Sequence, residues 1–198
     1  MLKLYYGNIR MVKDPQVFES WFQKMDSQRK EKVLCCKQEE DKQRSLLAGI
    51  LFHHGMENAC DTEPVFYSIS HSGDYAIWVF ADRKVGVDVE NCFRSLFRQE
   101  REEQRNRIAK KCFTTEELTI FHSLGGEEKI PYMLDLWTKK ESYSKAIGKG
   151  LAMDFSLIDT NRLQGLYWSD WLMEGYYCSL YVENGEFHDM KIQEIVSL

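Results

Sequence analysis

The chain has 198 residues, of which 43% are hydrophobic and 29% are charged, and its formal net charge is −5. This composition supports a sizeable buried core, and the net negative charge argues against a protein that binds nucleic acid. The longest apolar runs are far too short to cross a bilayer. We therefore expect neither nucleic acid nor a membrane among the partners.

The cysteines and the N-terminus bear on the compartment in which the protein works. Six cysteines show no Cys-x-x-Cys spacing, so they are more typical of reduced thiols than of a disulfide framework or a zinc site. The N-terminus lacks the charged region and apolar run of a signal peptide. These features predict a cytoplasmic protein.

The hydrophobic patterns predict an alternation of short strands and helices. In the first half they predict a strand at 2–6, helices at 15–25 and 41–52, and a meander of strands at 66–70, 75–81 and 85–90. In the second half they predict a charge-dense helix at 94–111, helices at 115–123 and 131–147, and strands at 153–158, 176–182 and 187–195. We interpret the charged helix as a solvated one that could help to receive an acidic protein partner.

The turn after the strand at 66–70 reads Ser68-Ile-Ser70-His71-Ser72-Gly73. Its hydroxyls, imidazole and glycine can all contribute donors to a phosphate. A serine hydrolase could also use a serine and a histidine. Ser70 and His71 are neighbours on a strand, however, so they point to opposite faces, and neither serine lies in a Gly-x-Ser-x-Gly elbow.

The segment Val85-Gly-Val-Asp88-Val-Glu90 alternates strictly between apolar valines and other residues. On a strand this pattern sends the valines to the core and brings Asp88 and Glu90 to one face, roughly 6.6 Å apart. Adjacent carboxylates repel unless a cation lies between them, and hard oxygen ligands suit Mg²⁺. Gly86 would leave room for a ligand. The alternative is a solvated strand edge that ends at Asn91.

The segment Trp137-Thr-Lys-Lys-Glu141-Ser-Tyr-Ser-Lys145 repeats functional side chains every four residues. On a helix, Trp137, Glu141 and Lys145 form one stripe that combines an anchoring aromatic ring, an acid and a base. The alternative is a surface helix with an ordinary Glu–Lys pair that stops at Gly148.

In this order and spacing, the three motifs resemble those of the 4′-phosphopantetheinyl transferases, and specifically the longer monomeric class of the type that activates surfactin synthetase. Phe113-Thr-Thr-Glu-Glu117 is similar to the family's Phe-x-x-x-Glu segment. The basic run Arg29–Lys32 and the later Arg44-Ser45-Leu-Leu are similar to the family's basic helix and its Arg-Ser/Thr-Leu-Leu segment. We expect only a supporting role for Glu117, because an acid on an amphipathic helix is usually solvated.

The chain departs from the family pattern in two places. The family often has Asn at the position of Ser68, and a Gly-Lys/Arg-Pro element usually contributes a cation to the phosphates of the coenzyme. Here the corresponding stretch, 59–64, is acidic and shortened. The missing contact would come from elsewhere, such as Lys42 or Arg44.

The resemblance implies an α+β fold with two similar subdomains, 1–93 and 94–198, related by a pseudo-twofold axis. It places the active site at their interface and implies a monomer. The implied reaction uses coenzyme A as co-substrate and Mg²⁺ as cofactor, modifies a serine of an apo peptidyl or acyl carrier protein, and releases 3′,5′-ADP.

By the same resemblance, Asp88, Glu90 and Glu141 hold Mg²⁺. Glu141 and Lys145 are implied to be catalytic: Glu141, or a water on the metal, takes the serine proton, and Lys145 neutralises or protonates the leaving phosphate. The residues implied to bind coenzyme A are Arg29, Lys32, Arg44, Ser45, Ser70, His71 and Lys145. Two alternatives stay open: a non-catalytic coenzyme-A-binding homologue, and a Mg²⁺-dependent phosphohydrolase that needs no carrier protein.

Overall fold

The structure, a computed structural model, describes residues 2–57, 66–93, 101–184 and 190–195. In chain order, its helices and strands are β1 (Leu2–Asn8), α1 (Pro15–Lys24), α2 (Ser27–Cys35), α3 (Glu39–Glu57), β2 (Phe66–Ser72), β3 (Tyr75–Ala81), β4 (Val85–Asn91), α4 (Glu102–Cys112), α5 (Thr115–Ser123), α6 (Gly126–Ala146), β5 (Leu166–Met173), β6 (Tyr176–Val182) and β7 (Lys191–Ile195). Helices and antiparallel strands are mixed throughout, which confirms the α+β class.

The chain forms two compact units, one made of residues 1–83 and 188–198 and the other of residues 84–187. These bounds differ from the predicted subdomains, 1–93 and 94–198, in two respects. Strand β4 belongs to the second unit, and β7 returns to the first unit to pair in parallel with β1. The pseudo-twofold relation stays a prediction.

In the first unit, α3 packs against a four-stranded sheet of order β2-β3-β1-β7. The apolar run from Leu46 to Leu51 supplies the buried face of α3, and β1 and β3 supply the facing side chains. Helix α2, which carries the basic run, packs on α3. Asp26 caps α2 by accepting a hydrogen bond from the backbone N–H of Arg29 at 2.7 Å.

The three strands predicted as a meander do not form one. Strands β2 and β3 make the expected hairpin, with Ser72 opposite Tyr75, but the other edge of β3 pairs with β1. Both edges of β3 are therefore occupied, and β4 cannot pair with it. It pairs with β6 in a separate antiparallel sheet of order β4-β6-β5.

In the second unit, α6 packs on β4 and β6, while α4 and α5 enclose a core around Phe113, Phe121 and Leu134. The strand predicted at 153–158 is wrong, because residues 155–157 form a short 3₁₀ turn. The edge strand β5 was not predicted, since its side chains are mostly half-buried or exposed without regular alternation.

Some predicted features lie outside the described residues. They are the acidic stretch 59–64, residues 94–100 of the charged helix, and residues 187–189 of the last strand. Within the described ranges, Cys35, Cys36, Cys92, Cys112 and Cys178 are free thiols. No helix in the described part of the chain combines the length and the apolar character needed to cross a membrane.

Gly86 sets how closely α6 approaches β4. A Cβ atom at this position would overlap the carbonyl oxygen of Ser142 and lie 2.7 Å from the backbone nitrogen of Ala146. The sequence analysis expected this glycine to leave room for a ligand. That expectation is wrong, because the backbone of α6 fills the space, and both faces of β4 are buried as a result.

Replacement of Gly86 by alanine tests this packing. We expect Gly86→Ala to destabilise the fold by about 1–3 kcal/mol or more, because the added methyl group meets backbone atoms that cannot rotate away. Gly126→Ala is the control, since nothing lies within 4 Å of its added Cβ and the site is at the start of α6. Urea denaturation measures both variants, and equal stability of the two would contradict the close approach.

Candidate active site

The predicted stripe on α6 faces β4, where it meets the two acidic residues of that strand. Trp137 donates a hydrogen bond from Nε1 to Oε1 of Glu90 at 3.2 Å. Lys145 donates from Nζ to Oδ1 of Asp88 at 2.7 Å and to the carbonyl oxygen of Val87 at 3.1 Å. Helix α6 thus lies along β4 with its aromatic residue at one carboxylate and its base at the other.

The alternatives of a surface helix and a solvated strand edge do not fit this packing. Asp88 is buried, and Glu141 is only 9% exposed. The neighbouring residues Thr138, Ser142 and Ser144 of α6 are completely buried. Asp88 and Glu141 are therefore in largely buried surroundings, where electrostatic interactions are stronger than at a surface, while Glu90, Trp137 and Lys145 are partly exposed.

Glu141 has the most perturbed electrostatics of this group. Burial is the largest cause of the rise in its pKa, the negative charges of Asp88 and Glu90 raise it further, and Lys145 opposes the rise. The resulting pKa is about 7. The three carboxylates are close enough to repel one another, and Glu141 changes its charge near neutral pH.

The donor chemistry of this cluster fits a hard divalent cation, because Asp88, Glu90 and Glu141 offer only carboxylate oxygens. In the described ranges, however, no three His, Cys, Asp or Glu residues are grouped closely enough to hold a metal ion. Among the contacts of Asp88 is an ion pair with the ammonium group of Lys145.

Glu117 is not solvated, contrary to the sequence analysis. It is almost completely buried and forms an ion pair with the fully buried Lys140, with 2.5 Å between Oε2 and Nζ. It also accepts a hydrogen bond from the backbone N–H of Thr114, which closes the capping box of α5. Burial lowers the pKa of Lys140, and Glu117 opposes this shift. Both residues lie in the sequence motifs described above, but the spacing of those motifs does not indicate that the two side chains form an ion pair.

In the first unit, Arg29 and Lys32 line a cavity of about 730 Å³. Its lining includes the aromatic rings of Phe52, Tyr67 and Trp78, which were not predicted as site residues from the sequence. Arg29 is half-buried, and burial lowers its pKa. Its Nη1 lies 3.5 Å from the carbonyl oxygen of Ser45. The lining of this cavity thus combines a guanidinium group with three aromatic rings.

The other predicted coenzyme ligands of this unit lie apart from the described lining of that cavity. Arg44 donates to the carbonyl oxygen of Gly73 at 2.7 Å and to Asp41 at 2.5 Å, which ties α3 to the β2–β3 turn. Ser70 is buried and His71 is exposed, in agreement with their predicted opposite faces. Lys42, one possible substitute cation, lies 3.4 Å from Glu39.

A second cavity, of about 530 Å³, opens beside Trp137 in the second unit. Its lining comes from the end of α4, from α6 and from the segment after α6: Lys110, Lys111, Cys112, Trp137, Met153, Asp154, Phe155 and Ser156. The exposed Lys110 and Lys111 confirm that the end of the charged helix is solvated.

The chain belongs to the 4′-phosphopantetheinyl transferase superfamily. The sequence profile of that superfamily matches residues 84–188, which is more than half of the chain. The match includes Asp88 and Glu90 on β4, and Glu141 and Lys145 on α6.

Individual relatives agree with this assignment. The chain is 28% identical over 152 residues to 4′-phosphopantetheinyl transferase gsp of Aneurinibacillus migulanus, covering 68% of this chain and 60% of that protein. It is 30% identical over 93 residues to 4′-phosphopantetheinyl transferase Sfp of Bacillus subtilis (strain 168), covering 47% and 38%. It is 35% identical over 68 residues to a holo-[acyl-carrier-protein] synthase of Streptococcus mutans, covering 32% and 57%. The chain therefore spans less than two thirds of the length of each of these relatives.

The raised pKa of Glu141 predicts a specific dependence of stability on pH. Between the ordinary value of 4.5 and the folded value of about 7, the unfolded chain releases the proton that the folded chain retains. Stability therefore falls as pH rises through this window, and the loss is complete above it. At about 1.4 kcal/mol for each pH unit, the loss approaches roughly 3 kcal/mol.

Glu141→Gln removes this loss, so the variant should match wild type near pH 4.5 and become progressively more stable than wild type up to pH 8. Urea denaturation in the presence of a chelator measures the difference at each pH. Glu127→Gln, on an exposed turn of the same helix, is the control. A constant difference between Glu141→Gln and wild type from pH 4.5 to 8 would show that the carboxylate does not titrate in this window.

Proposed function

We propose that this protein transfers the 4′-phosphopantetheine group of coenzyme A to a serine hydroxyl of an apo peptidyl or acyl carrier protein. The main support is the partly buried contact that groups Asp88 and Glu90 on β4 with Glu141 and Lys145 on α6. Phosphoryl transfer requires positioning and charge neutralisation more than covalent catalysis, and this contact contains groups for both. The names of the relatives, a 4′-phosphopantetheinyl transferase and a holo-[acyl-carrier-protein] synthase, support the same assignment.

In the proposed reaction, the serine oxygen attacks the pyrophosphate phosphorus that bears pantetheine. A new phosphorus–oxygen bond forms, and the bond to the departing 3′,5′-ADP breaks. Glu141 accepts the serine proton as the general base. Lys145 supplies positive charge to the leaving phosphate, whose negative charge grows as the bond breaks.

Asp88, Glu90 and Glu141 would hold Mg²⁺. Their oxygen donors fit this ion, and a bound cation would offset the repulsion between Glu141 and the other two carboxylates. When bound, Mg²⁺ neutralises charge on the pyrophosphate oxygens. The side chain of Lys145 is 26% exposed, so it can also reach solvent-borne phosphate from its place beside Asp88.

We assign the phosphoadenosine end of coenzyme A to the first unit. Arg29 and Lys32 offer cations to phosphate at the 730 Å³ cavity, and the rings of Phe52, Tyr67 and Trp78 offer flat apolar surface to a purine. Arg44, Ser45, Ser70 and His71 form a second group of candidate phosphate contacts. The resemblance to the longer class favours a monomer that works in the cytoplasm.

Mass spectrometry of an apo carrier protein incubated with the enzyme, coenzyme A and Mg²⁺ tests the function. We expect the carrier protein to gain the mass of one phosphopantetheine, and we expect no gain when its acceptor serine is replaced by alanine. Hydrolysis of coenzyme A without a carrier protein would instead indicate a phosphohydrolase. Binding of coenzyme A without either product would indicate a non-catalytic homologue.

Kinetics of two lysine variants separate the chemical step from coenzyme binding. Lys145→Ala should lower kcat with little change in KM, because its charge matters most when the leaving phosphate becomes more negative. Lys32→Ala should mainly raise the KM for coenzyme A, by about ten- to a hundred-fold, because the adenosine phosphate keeps its charge during the reaction. A Lys145→Ala variant with only a raised KM would reduce this residue to a phosphate-binding role.

A further inference from the structure

Lys140 directly precedes Glu141 in the α6 motif but has no part in the proposed reaction, and it is fully buried at 0% exposure. Lysine is almost never fully buried unless its ammonium group is paired. Here Nζ has four oxygen partners within 2.9 Å: the carbonyls of Cys112, Phe155 and Ile158 and the carboxylate of Glu117. A lysine can donate only three hydrogen bonds, so this ammonium group is saturated.

The four partners come from three separate segments of the second unit. Cys112 ends α4, Glu117 lies on α5, and Phe155 and Ile158 belong to the 3₁₀ turn that follows α6. One side chain of α6 therefore joins all three segments to the helix. Hydrogen bonds to a single nitrogen are directional, so they restrict rotation of α6 about its own axis as well as its distance from these segments.

Lys140 directly precedes Glu141, and successive side chains on a helix point about 100° apart. Lys140 points toward α4 and α5, while Glu141 lies in the field of Asp88 and Glu90 on β4. Any rotation of α6 that Lys140 permits is therefore transmitted to Glu141. A displacement of about 1 Å in a reacting group can lower a rate about a hundredfold.

We infer that Lys140 is a positioning residue: its bonds to three segments fix the rotation of α6 and thereby the place of Glu141 opposite Asp88. The kinetic consequence rests on the function proposed above. The role of Glu117 is to balance the buried charge. Because a buried ion pair can often be replaced by apolar side chains without loss of stability, stability alone does not explain this arrangement.

Four variants separate positioning from stability. Lys140→Met removes the ammonium group and keeps the length of the side chain. Glu117→Gln keeps an acceptor for Nζ and leaves the three carbonyl bonds in place. Lys140→Met combined with Glu117→Met replaces the pair by apolar groups. Lys139→Met is the control, because this neighbour forms only a partly exposed pair with Asp135 on the same helix.

We expect Lys140→Met to lower kcat about a hundredfold, with KM for coenzyme A within about twofold of wild type. Glu117→Gln should have a lower Tm than wild type but a kcat within about threefold of it. Lys139→Met should resemble wild type in both quantities. The apolar double variant should have a Tm close to that of wild type but a kcat as low as that of Lys140→Met. Recovery of both Tm and kcat in the double variant, or a normal kcat in Lys140→Met, would overturn the inference.

A crystal structure of the double variant gives a readout that does not depend on activity. We expect Glu141 to shift relative to Asp88 by about 1 Å or more, the scale on which a reacting group loses its productive geometry. An unchanged separation would overturn the positioning role even if the protein proves to have another function. If the double variant does not fold, the comparison of Lys140→Met with Glu117→Gln decides, because only the former removes the carbonyl bonds.

Discussion

The packing of α6 on β4 is the constraint on which the candidate site depends. The absence of a side chain at Gly86 lets the backbone of α6 reach van der Waals distance of the strand near Ser142 and Ala146. Asp88 is buried where the helix packs on the strand. Burial is also the largest cause of the raised pKa of Glu141 on the helix. The close approach at Gly86 thus favours the packing that raises this pKa.

The two lysines that flank Glu141 in the α6 motif differ in what they can do. Lys145 has a partly exposed side chain whose contacts include the carboxylate of Asp88 and the carbonyl of Val87, so it can exchange these contacts for a phosphate. Lys140 is fully enclosed by four oxygens and has no such freedom. Residues of the same type in one motif therefore serve different ends, because burial determines which ammonium group can meet a ligand.

The first unit contains a similar division among its basic residues. Lys32 is exposed at the rim of the larger cavity, while Arg29 is half-buried beside the backbone of Ser45. The guanidinium group of Arg44 donates hydrogen bonds to Asp41 and to the carbonyl of Gly73, which holds α3 against the hairpin turn. Arg44 thus stabilises the fold near the candidate binding residues of the first unit.

The sequence by itself determined the features that depend on local periodicity, namely most helices and strands and the faces shared by Asp88 with Glu90 and by Glu141 with Lys145, and the resemblance of its motifs to the family implied the α+β class. It could not determine that β4 leaves the β2–β3 hairpin, because strand pairing depends on which edge is free in space. Nor could it show that Gly86 admits a helix or that Lys140 meets Glu117. Those outcomes depend on contacts between segments distant in the chain, and only tertiary packing determines which side chains lose water.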